Sequence, residues 1–383
     1  MLRRPHTPIP RCDMTMSGHG DSRTLVVSWH WPPVNRASAG VLGALFRTAP
    51  YGAFRVVTRS FSDSSSVDHR PAPHDLDRRV PATRIPAFPH THRTSALTGL
   101  MEITRTFRAI VRAGCATGRT WNASRVLAVY PHRYSLLAGW CIARRLRIPL
   151  ALYMHDLCAE AITFKNPLRR GFWRVVDLLC LKQADLVLVP TRQFADHYQR
   201  RGIPSTWVLP HCVNPSVKVP EFPQPRRKLH LHYSGLIYEP HEDAARAFLR
   251  ATRTLPDVAV TFHSNPEGCR GLLGQAGAQW VPFDAATAAL ARADVLLMFL
   301  GTHTPCPLEV MGCFPSKMVE YLCAGRPILA VVPCGSFVDR FISDNKCGLV
   351  VTDHDPHTIT RAIDRLRNPV IRRRMAAAVW ISA

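Results

Sequence analysis

The sequence lacks long apolar runs: its apolar stretches, such as Val295 to Leu300, are short and end at turn residues. A helix that spans a membrane needs about 18 consecutive apolar residues, so no such helix is predicted. The first 22 residues contain arginines but not the apolar core of a secretory signal peptide. We therefore expect residues 1–22 to form a disordered leader and the chain to stay in the cytoplasm.

Cysteine pairs of the kind that bind zinc are also absent. The 12 cysteines are scattered along the chain, and no two of them form a Cys-x-x-Cys pair. Many lie within apolar patterns, which is typical of buried, reduced thiols. The sequence therefore predicts no metal site.

Acidic residues are few, with 27 Asp and Glu against 49 Lys and Arg, and the formal net charge is +22. Most of the basic residues are arginines spread through both halves, which is typical of a GC-rich genome. Short clusters also fit a surface that faces anionic lipid, as at Arg144-Arg145 and Arg169-Arg170. Both interpretations stay open. A nucleic-acid binder would explain the charge, but no helix-turn-helix or aromatic-rich basic motif supports one.

Short apolar runs alternate with helical patterns along the chain from Thr24. In the second half, strands are predicted at 229–236, 258–263, 279–283, 294–300, 327–332 and 348–352. Continuously apolar strands separated by helices predict parallel sheets that are covered on both faces. Residues 60–95 show no periodicity, so we predict a long loop there.

A proline-rich segment divides the chain. Residues 211–228 contain four prolines and end in Arg226-Arg227-Lys228. Proline at this density predicts an extended connector. The predicted organisation is an α/β domain over 23–210, a linker over 211–228, a second α/β domain over 229–367 and a short terminal helix over 368–383.

The most informative segment begins at Pro315. Pro315 and Ser316 predict the start of a helix, with Ser316 as its N-cap, and Gly325 predicts its end. A helix that begins at the carboxyl ends of parallel strands presents N–H groups that suit a phosphate. Lys317 adds a positive charge, and the carboxylate of Glu320 can accept hydrogen bonds from two ribose hydroxyls. A simple cap and a carboxylate near the helix start would produce the same local pattern without a ligand.

The segment does not stand alone. The run Pro-Ser-Lys-x-x-Glu-Tyr-Leu-x-Ala-Gly-x-Pro-Ile at 315–328 resembles the donor-binding half of GT-B-fold glycosyltransferases of the family-4-like group. Four other segments agree with this family in order along the chain: Tyr153–Leu157, Ala184–Thr191, Val208–Asn214 and Tyr233–Tyr238. The resemblance covers about residues 24–380. It implies an α/β fold of two Rossmann-like domains that face each other across a cleft.

The resemblance also implies an activity and its partners. The enzyme would move a sugar from a nucleoside-diphosphate sugar to a glycan or lipid-linked acceptor in polysaccharide assembly. Transfer would retain the anomeric configuration and would need neither a metal nor a cofactor. Peripheral association with an anionic membrane would place the protein on the inner face of the cell membrane.

The donor residues follow from the same resemblance. Glu320 would bind the donor ribose, and Ser316 and Lys317 would hold the diphosphate. Ser234 and Gly235 would form the turn beneath the donor, where a glycine allows close approach of the backbone.

The catalytic and acceptor residues are also implied by the family pattern. His155 would lie near the transferred sugar with Asp156 orienting it, and Lys317 would stabilise the leaving diphosphate. The turn and helix after the first strand, with Asn35 and Gly40, would shape the acceptor side together with Asp156.

Three departures from the family pattern leave alternatives open. Gly312 stands where many relatives carry a glutamate eight residues before Glu320, and Cys212 replaces a typical glycine. A pair of basic residues expected after Gly235 is missing. A non-catalytic or degenerate GT-B subunit therefore remains an alternative, as does a nucleotide-sugar epimerase with additional acidic residues in its cleft.

Overall fold

The computed structural model describes residues 22–32, 37–60, 75–86, 96–158, 167–203, 205–212, 221–223, 226–237, 239–273, 277–304 and 306–382. Two parallel sheets form the core of two α/β domains. No described helix combines the length and the apolar character needed to span a bilayer.

Within the described residues, the first domain contains a sheet of seven parallel strands in the order β3-β2-β1-β4-β5-β6-β7. Its elements are β1 (Thr24–Ser28), α1 (Ala37–Leu45), β2 (Phe54–Arg59), α2 (Leu76–Arg79), β3 (Ala82–Ile85), α3 (Ala96–Thr120), β4 (Arg125–Tyr130), α4 (Arg133–Leu146), β5 (Leu150–Met154), α5 (Pro167–Lys182), β6 (Leu186–Val189), α6 (Arg192–Arg200) and β7 (Thr206–Val208). The strand order reverses between β1 and β4, which opens a crevice at their carboxyl ends.

The described part of the second domain contains a sheet of five parallel strands in the order β12-β11-β10-β8-β9. Its elements are β8 (Leu229–Ser234), α7 (Glu239–Thr252), β9 (Val258–His263), α8 (Pro266–Leu273), α9 (Phe283–Arg292), β10 (Val295–Phe299), α10 (Pro307–Gly312), α11 (Ser316–Ala324), β11 (Ile328–Val331), α12 (Phe337–Asn345), β12 (Gly348–Val351), α13 (Pro356–Arg367) and α14 (Pro369–Ser382). Here the order reverses between β8 and β10.

The strands are apolar because both of their faces are covered. Every residue of β1 and of β10 is buried. Helices α3 and α4 pack on one face of the first sheet, and α1 packs on the other. The second sheet is likewise enclosed between two apolar clusters. The expectation of parallel sheets covered on both faces is confirmed.

The loop predicted over residues 60–95 is wrong in part. It contains α2 and the edge strand β3, which pairs with β2 in register Val56↔Ala82. An edge strand is covered less than a central one, and none of the four residues of β3 is fully buried. Its sequence Ala-Thr-Arg-Ile therefore carries no apolar run.

The strand predicted over residues 279–283 is also wrong. That segment forms a single bridge between Gln279 and His263, and α9 begins at Phe283. Pro282 lacks the N–H that a ladder needs, and it occupies the N-cap position of α9 instead. Trp280 is 62% exposed, so the apolar run does not lie in the core.

The two domains contact each other directly. The hydroxyl of Thr191, just before α6, donates a hydrogen bond of 2.6 Å to the carbonyl oxygen of Gly312 in α10. The ring of His211 stacks on Phe314 with 5.0 Å between the ring centroids. Helix α1 of the first domain also contacts α11 of the second. The carboxyl ends of the two sheets therefore line one cleft.

Candidate functional site

The turn after β8 needs a glycine for two reasons. Gly235 has a φ of +124°, a conformation that side chains disfavour. A Cβ atom at Gly235 would also lie 3.2 Å from both Cε and Nζ of Lys317. The backbone of this turn and the Lys317 side chain are therefore in close contact at the carboxyl end of β8.

Lys317 is held over this turn by an aromatic ring. Its Nζ donates a hydrogen bond of 2.5 Å to Tyr233 Oη and lies 4.3 Å from the centre of the Tyr233 ring. Burial lowers the pKa of Lys317 to about 7, although Cys313 and Glu320 act in the opposite direction. The ammonium group is therefore positioned in advance, and its charge can change near neutral pH.

Helix α11 begins without a side-chain cap, so the prediction that Ser316 is the N-cap is wrong. Pro315 occupies the N-cap position, and Ser316 is the first helical residue. Proline fits the extended backbone before a helix but supplies no capping oxygen. The free end of α11 therefore keeps the electropositive character of a helix start. Gly325, with a φ of +62°, ends the helix as predicted.

Tyr321 ties α11 to the end of β8. Its Oη accepts a hydrogen bond of 3.0 Å from the backbone N–H of Ser234 and lies 3.3 Å from the Ser234 carbonyl oxygen. Glu320 precedes Tyr321, is partly exposed, and raises the pKa of Lys317. The structure thus brings the five predicted donor residues to one end of the second sheet: Ser234, Gly235, Ser316, Lys317 and Glu320.

His155 lies at the end of β5, on the opposite wall of the cleft. Its ring is buried, 4.4 Å from the ring of Tyr153 and 5.4 Å from that of His211. Burial, together with His211, holds the pKa of His155 well below its usual value. Within the described residues, no hydrogen bond joins His155 to Asp156. The orientation of His155 by Asp156 stays a prediction.

The carboxyl group of Asp156 acts on titratable groups of both domains. Burial raises the pKa of its carboxyl group to about 6. Asp156 in turn raises the pKa of Cys313, which precedes α11, as burial and Glu309 also do. A carboxylate of the first domain therefore lies close enough to the loop before α11 to change the pKa of a residue in that loop.

Sequence reasoning missed His211 as a site residue. His211 is buried, and its ring stacks on Phe314 of the other domain at an interplanar angle of 21°. Neither of its ring nitrogens has a hydrogen-bond partner among the described residues. Burial lowers the pKa of His211 to about 4. The only signal in the sequence was Pro-His-Cys where the family pattern has Pro-Asn-Gly.

The first domain contains a second group that sequence reasoning missed, at the carboxyl ends of β1 and β4. The rings of Trp29 and His132 are stacked, with centroids 3.9 Å apart and planes 7° apart. Tyr134 lies 5.3 Å from His132, and His30 is hydrogen-bonded to Ser38 at the start of α1. This aromatic crevice lies at the reversal point of the first sheet.

Of the three residues predicted for the acceptor side, Asp156 is described above, and the other two have different outcomes. Gly40 lies in α1, the helix that contacts α11 across the cleft. Asn35 lies outside the described residues. Within the described ranges, no group of three His, Cys, Asp or Glu side chains is arranged to hold a metal ion.

The structure explains why residue 312 is not a glutamate. A Cβ atom at Gly312 would lie 2.5 Å from the ring of Phe194 in α6. The carbonyl oxygen of Gly312 also accepts the hydrogen bond from Thr191. Position 312 is therefore used for contact between the domains, and it has no space for a side chain.

We expect Gly312→Ala to loosen this contact. The new methyl group has to displace the Phe194 ring, at a cost of about 1–3 kcal/mol in unfolding free energy. Small-angle X-ray scattering should show a larger radius of gyration, and thermal unfolding a lower midpoint. Gly271→Ala is the control, because a Cβ atom at Gly271 of α8 meets no atom within 4 Å. An unchanged radius and midpoint in Gly312→Ala would contradict the assignment.

Comparison with known proteins agrees with this architecture. Residues 25–212 match the glycosyl transferase 4-like domain family. No curated protein sequence matches the chain. Sucrose-phosphate synthase from Thermosynechococcus elongatus is similar in structure, with a TM-score of 0.64, 16% identity and 94% of each chain covered.

Two other solved structures share the fold. Anabaena HepE in complex with UDP has a TM-score of 0.59 and 12% identity, with 94% of each chain covered. A UDP-N-acetylglucosamine 2-epimerase has a TM-score of 0.53 and 13% identity, covering 93% of this chain and 91% of that one. Residues 25–212 therefore carry a glycosyl transferase 4-like domain, and the whole chain has the GT-B fold of these solved structures.

Proposed function

We propose that the protein transfers a sugar from a nucleoside-diphosphate sugar to a glycan or lipid-linked acceptor in polysaccharide assembly. The observation that carries this proposal is the position of Lys317: it lies in the first turn of α11, and its side chain covers Gly235 at the end of β8. A cation, a helix start and a turn without a side chain meet there at the mouth of a cleft. This combination suits a diphosphate.

The remaining donor contacts have a simple assignment. The backbone N–H groups at the start of α11, with Ser316, bind the diphosphate beside Lys317. Glu320 lies one turn into the helix, and its carboxylate accepts hydrogen bonds from the ribose hydroxyls. The UDP bound to HepE, a protein of the same fold, supports a nucleoside diphosphate as the ligand class.

We further propose that transfer retains the configuration of the anomeric carbon. The bond from that carbon to the diphosphate oxygen breaks while the acceptor oxygen approaches on the same face. The departing diphosphate oxygen takes the proton of the acceptor hydroxyl. Lys317 and the start of α11 stabilise the charge that develops on the diphosphate, so this step uses no metal ion or cofactor. His155 contacts the transferred sugar from the opposite wall.

One observation favours an epimerase as a second candidate. The raised pKa of Asp156 suits an acid or base near neutral pH, and a UDP-N-acetylglucosamine 2-epimerase shares the fold. An epimerase converts the nucleotide sugar without an acceptor. Proton NMR of a donor incubated with the protein alone distinguishes the two: a transferase leaves the sugar configuration unchanged.

Donor binding tests the proposal directly. A panel of nucleoside-diphosphate sugars with different bases is added while thermal unfolding is followed. A ligand at 100 times its dissociation constant stabilises a protein by about 2.7 kcal/mol, which is a clear rise in Tm. We expect a rise for one base only, and its loss in Glu320→Ala.

The control for Glu320→Ala is Glu242→Ala in α7 of the same domain, which should keep the rise in Tm. Absence of any rise with a folded wild-type protein would support the non-catalytic subunit instead.

Location follows from the acceptor class. An enzyme that uses a lipid-linked acceptor works at a membrane surface, and the net charge of +22 suits anionic lipid. We therefore place the protein in the cytoplasm, in peripheral contact with the inner face of the cell membrane.

A further inference from the structure

Helix α5 exposes a continuous apolar stripe to the outside of the first domain. The stripe consists of Leu168, Phe172, Val175 and Leu179, whose exposed fractions range from 41% to 83%. Their spacing of four, three and four residues places all four side chains on one face of the helix. Exposed apolar patches of this kind mark interaction surfaces.

The stripe is not a core face turned outward, because α5 has a separate buried face. Trp173, Asp177 and Cys180 are buried against the domain. Asp177 receives a hydrogen bond of 3.0 Å from Arg133 of α4, and this pair fixes the rotation of the helix. Helix α5 therefore presents the stripe in a defined direction.

Arginines surround the stripe. Arg169, Arg170 and Arg174 of α5 are exposed beside it. The neighbouring helix α4, which packs against both α3 and α5, exposes Arg144 and Arg145. On α3, three more arginines are exposed at positions 105, 108 and 112, a spacing that keeps them on one helix face. This side of the domain combines an apolar stripe with strong positive charge.

We propose that α5 docks the protein on an anionic phospholipid bilayer. The stripe enters the boundary between headgroups and acyl chains, with the helix parallel to the membrane, while the arginines contact anionic headgroups. Charge complementarity favours this partner, because a second copy of the chain would bring the same arginines against each other. The bilayer therefore covers the stripe.

Aromatic contacts connect the stripe to the aromatic crevice at the carboxyl ends of β1 and β4, called the acceptor crevice below because the acceptor is expected to bind to the first domain. Phe172 lies 5.5 Å from Trp173, whose ring lies 5.1 Å from that of Tyr134. Tyr134 in turn lies 5.3 Å from His132 and 5.9 Å from Trp29, the two rings at the reversal point of the first sheet. Docking through α5 thus brings the acceptor crevice close to the headgroups. This step rests on the proposed function, and it identifies the acceptor as lipid-anchored rather than free.

Vesicle flotation tests the docking surface. Full-length protein is mixed with vesicles of phosphatidylcholine alone or of phosphatidylcholine with phosphatidylglycerol. We expect binding to the anionic vesicles only, and weakening by salt. Replacing Arg170 and Arg174 by serine should lower the partition coefficient about 30-fold, since each arginine near an anionic surface contributes about a fivefold factor.

A matched pair of variants tests the stripe itself. Val175→Ser changes a stripe residue that is 68% exposed, and Val370→Ser changes a residue of α14 that is 72% exposed. Because both side chains are exposed, both variants should fold. Val175→Ser should reduce vesicle binding and Val370→Ser should not. Equal binding by both variants overturns the assignment, as does a wild-type dimer that Phe172→Ser dissociates in analytical ultracentrifugation.

Nucleotide binding, measured on the same samples without vesicles, separates the two proposals. Protein that binds a nucleoside-diphosphate sugar but no anionic vesicle refutes the docking surface and leaves the transferase. Protein that binds vesicles through α5 but no donor supports the docking surface and refutes the transferase.

Discussion

Replacing Lys317 by methionine should weaken the binding of a nucleoside-diphosphate sugar by about ten- to a hundredfold. A hydrogen bond between charged groups in a partly desolvated site contributes about 1.5–3 kcal/mol, which corresponds to this range. Methionine preserves the length and the apolar stem of the side chain beside Gly235, so the turn should keep its shape. Isothermal titration calorimetry with the donor found in the thermal screen measures the change.

The same residue predicts how donor affinity depends on pH. Lys317 has a pKa of about 7 in the free protein, so its charge is present below pH 7 and is lost above it. A bound diphosphate stabilises the charged form and raises this pKa. Affinity should therefore fall above pH 7, by up to about tenfold per pH unit, until the pH reaches the pKa of the bound state. The diphosphate of a nucleotide sugar does not titrate in this range.

Lys317→Arg is the control for this pH dependence. A guanidinium group stays protonated throughout the measured range, so its affinity should vary little between pH 6 and 9. The neighbouring His241 has a pKa lowered to about 3 by burial and by Lys317, so it does not titrate there. The assignment is wrong if Lys317→Arg shows the same fall as the wild type.

Much of the fold was predictable because its strands are buried on both faces. Central strands such as β5 and β10 have to be continuously apolar, and that pattern is visible in any sequence. The start and end of α11 were also predictable within one residue, because Pro315 and Gly325 restrict the backbone directly. The error at Ser316 arose because a serine and a proline compete for the same position before a helix.

The elements that the sequence did not predict correctly are determined by contacts with other parts of the chain rather than by their own residue pattern. Strand β3 is held by pairing with β2, although its own residues are partly exposed. The apolar pair Trp280-Val281 resembles a strand, but Pro282 is the N-cap of α9. Local sequence does not contain the partner that decides such cases.

The candidate site shows the same difference between residues in local motifs and residues joined by long-range contacts. The donor residues lie in two short motifs, one at the carboxyl end of β8 and one at the start of α11. Their proximity therefore follows from the parallel topology. The stack of Trp29 on His132 and the stack of His211 on Phe314 each join residues about 100 positions apart. No local pattern predicts such pairs. The replacement of a glutamate by Gly312 was visible in the sequence, but its cause, the ring of Phe194, was not.

Mild acid should destabilise the protein strongly, because several histidines are buried in their neutral form. Burial lowers the pKa to about 4 at His211 and to about 3 at His232 and His241. In the unfolded chain these rings have a pKa of about 6.5. Between these values the unfolded state binds more protons than the folded state. The stability that these neutral histidines contribute to the folded protein is therefore fully present above pH 6.5 and is lost as the pH falls.

The expected loss of unfolding free energy is large for a single domain. Each such histidine reduces stability by about 1.4 kcal/mol per pH unit below 6.5, or about 2 kcal/mol at pH 5. His232 and His241 both lie in the second domain, so this domain should lose about 4 kcal/mol, against a typical total of about 5–15 kcal/mol. Urea unfolding at pH 7.5 and pH 5, followed by tryptophan fluorescence, measures the loss.

His232→Leu isolates one contribution. His232 is fully buried, and neither ring nitrogen has a hydrogen-bond partner among the described residues, so leucine removes a titrating group without breaking a described hydrogen bond. The variant should lose about 2 kcal/mol less than the wild type between pH 7.5 and pH 5. The same substitution at His357, which is exposed on α13, is the matched control. If both variants show the wild-type loss, His232 is not neutral in the folded protein, and the acid sensitivity has another origin.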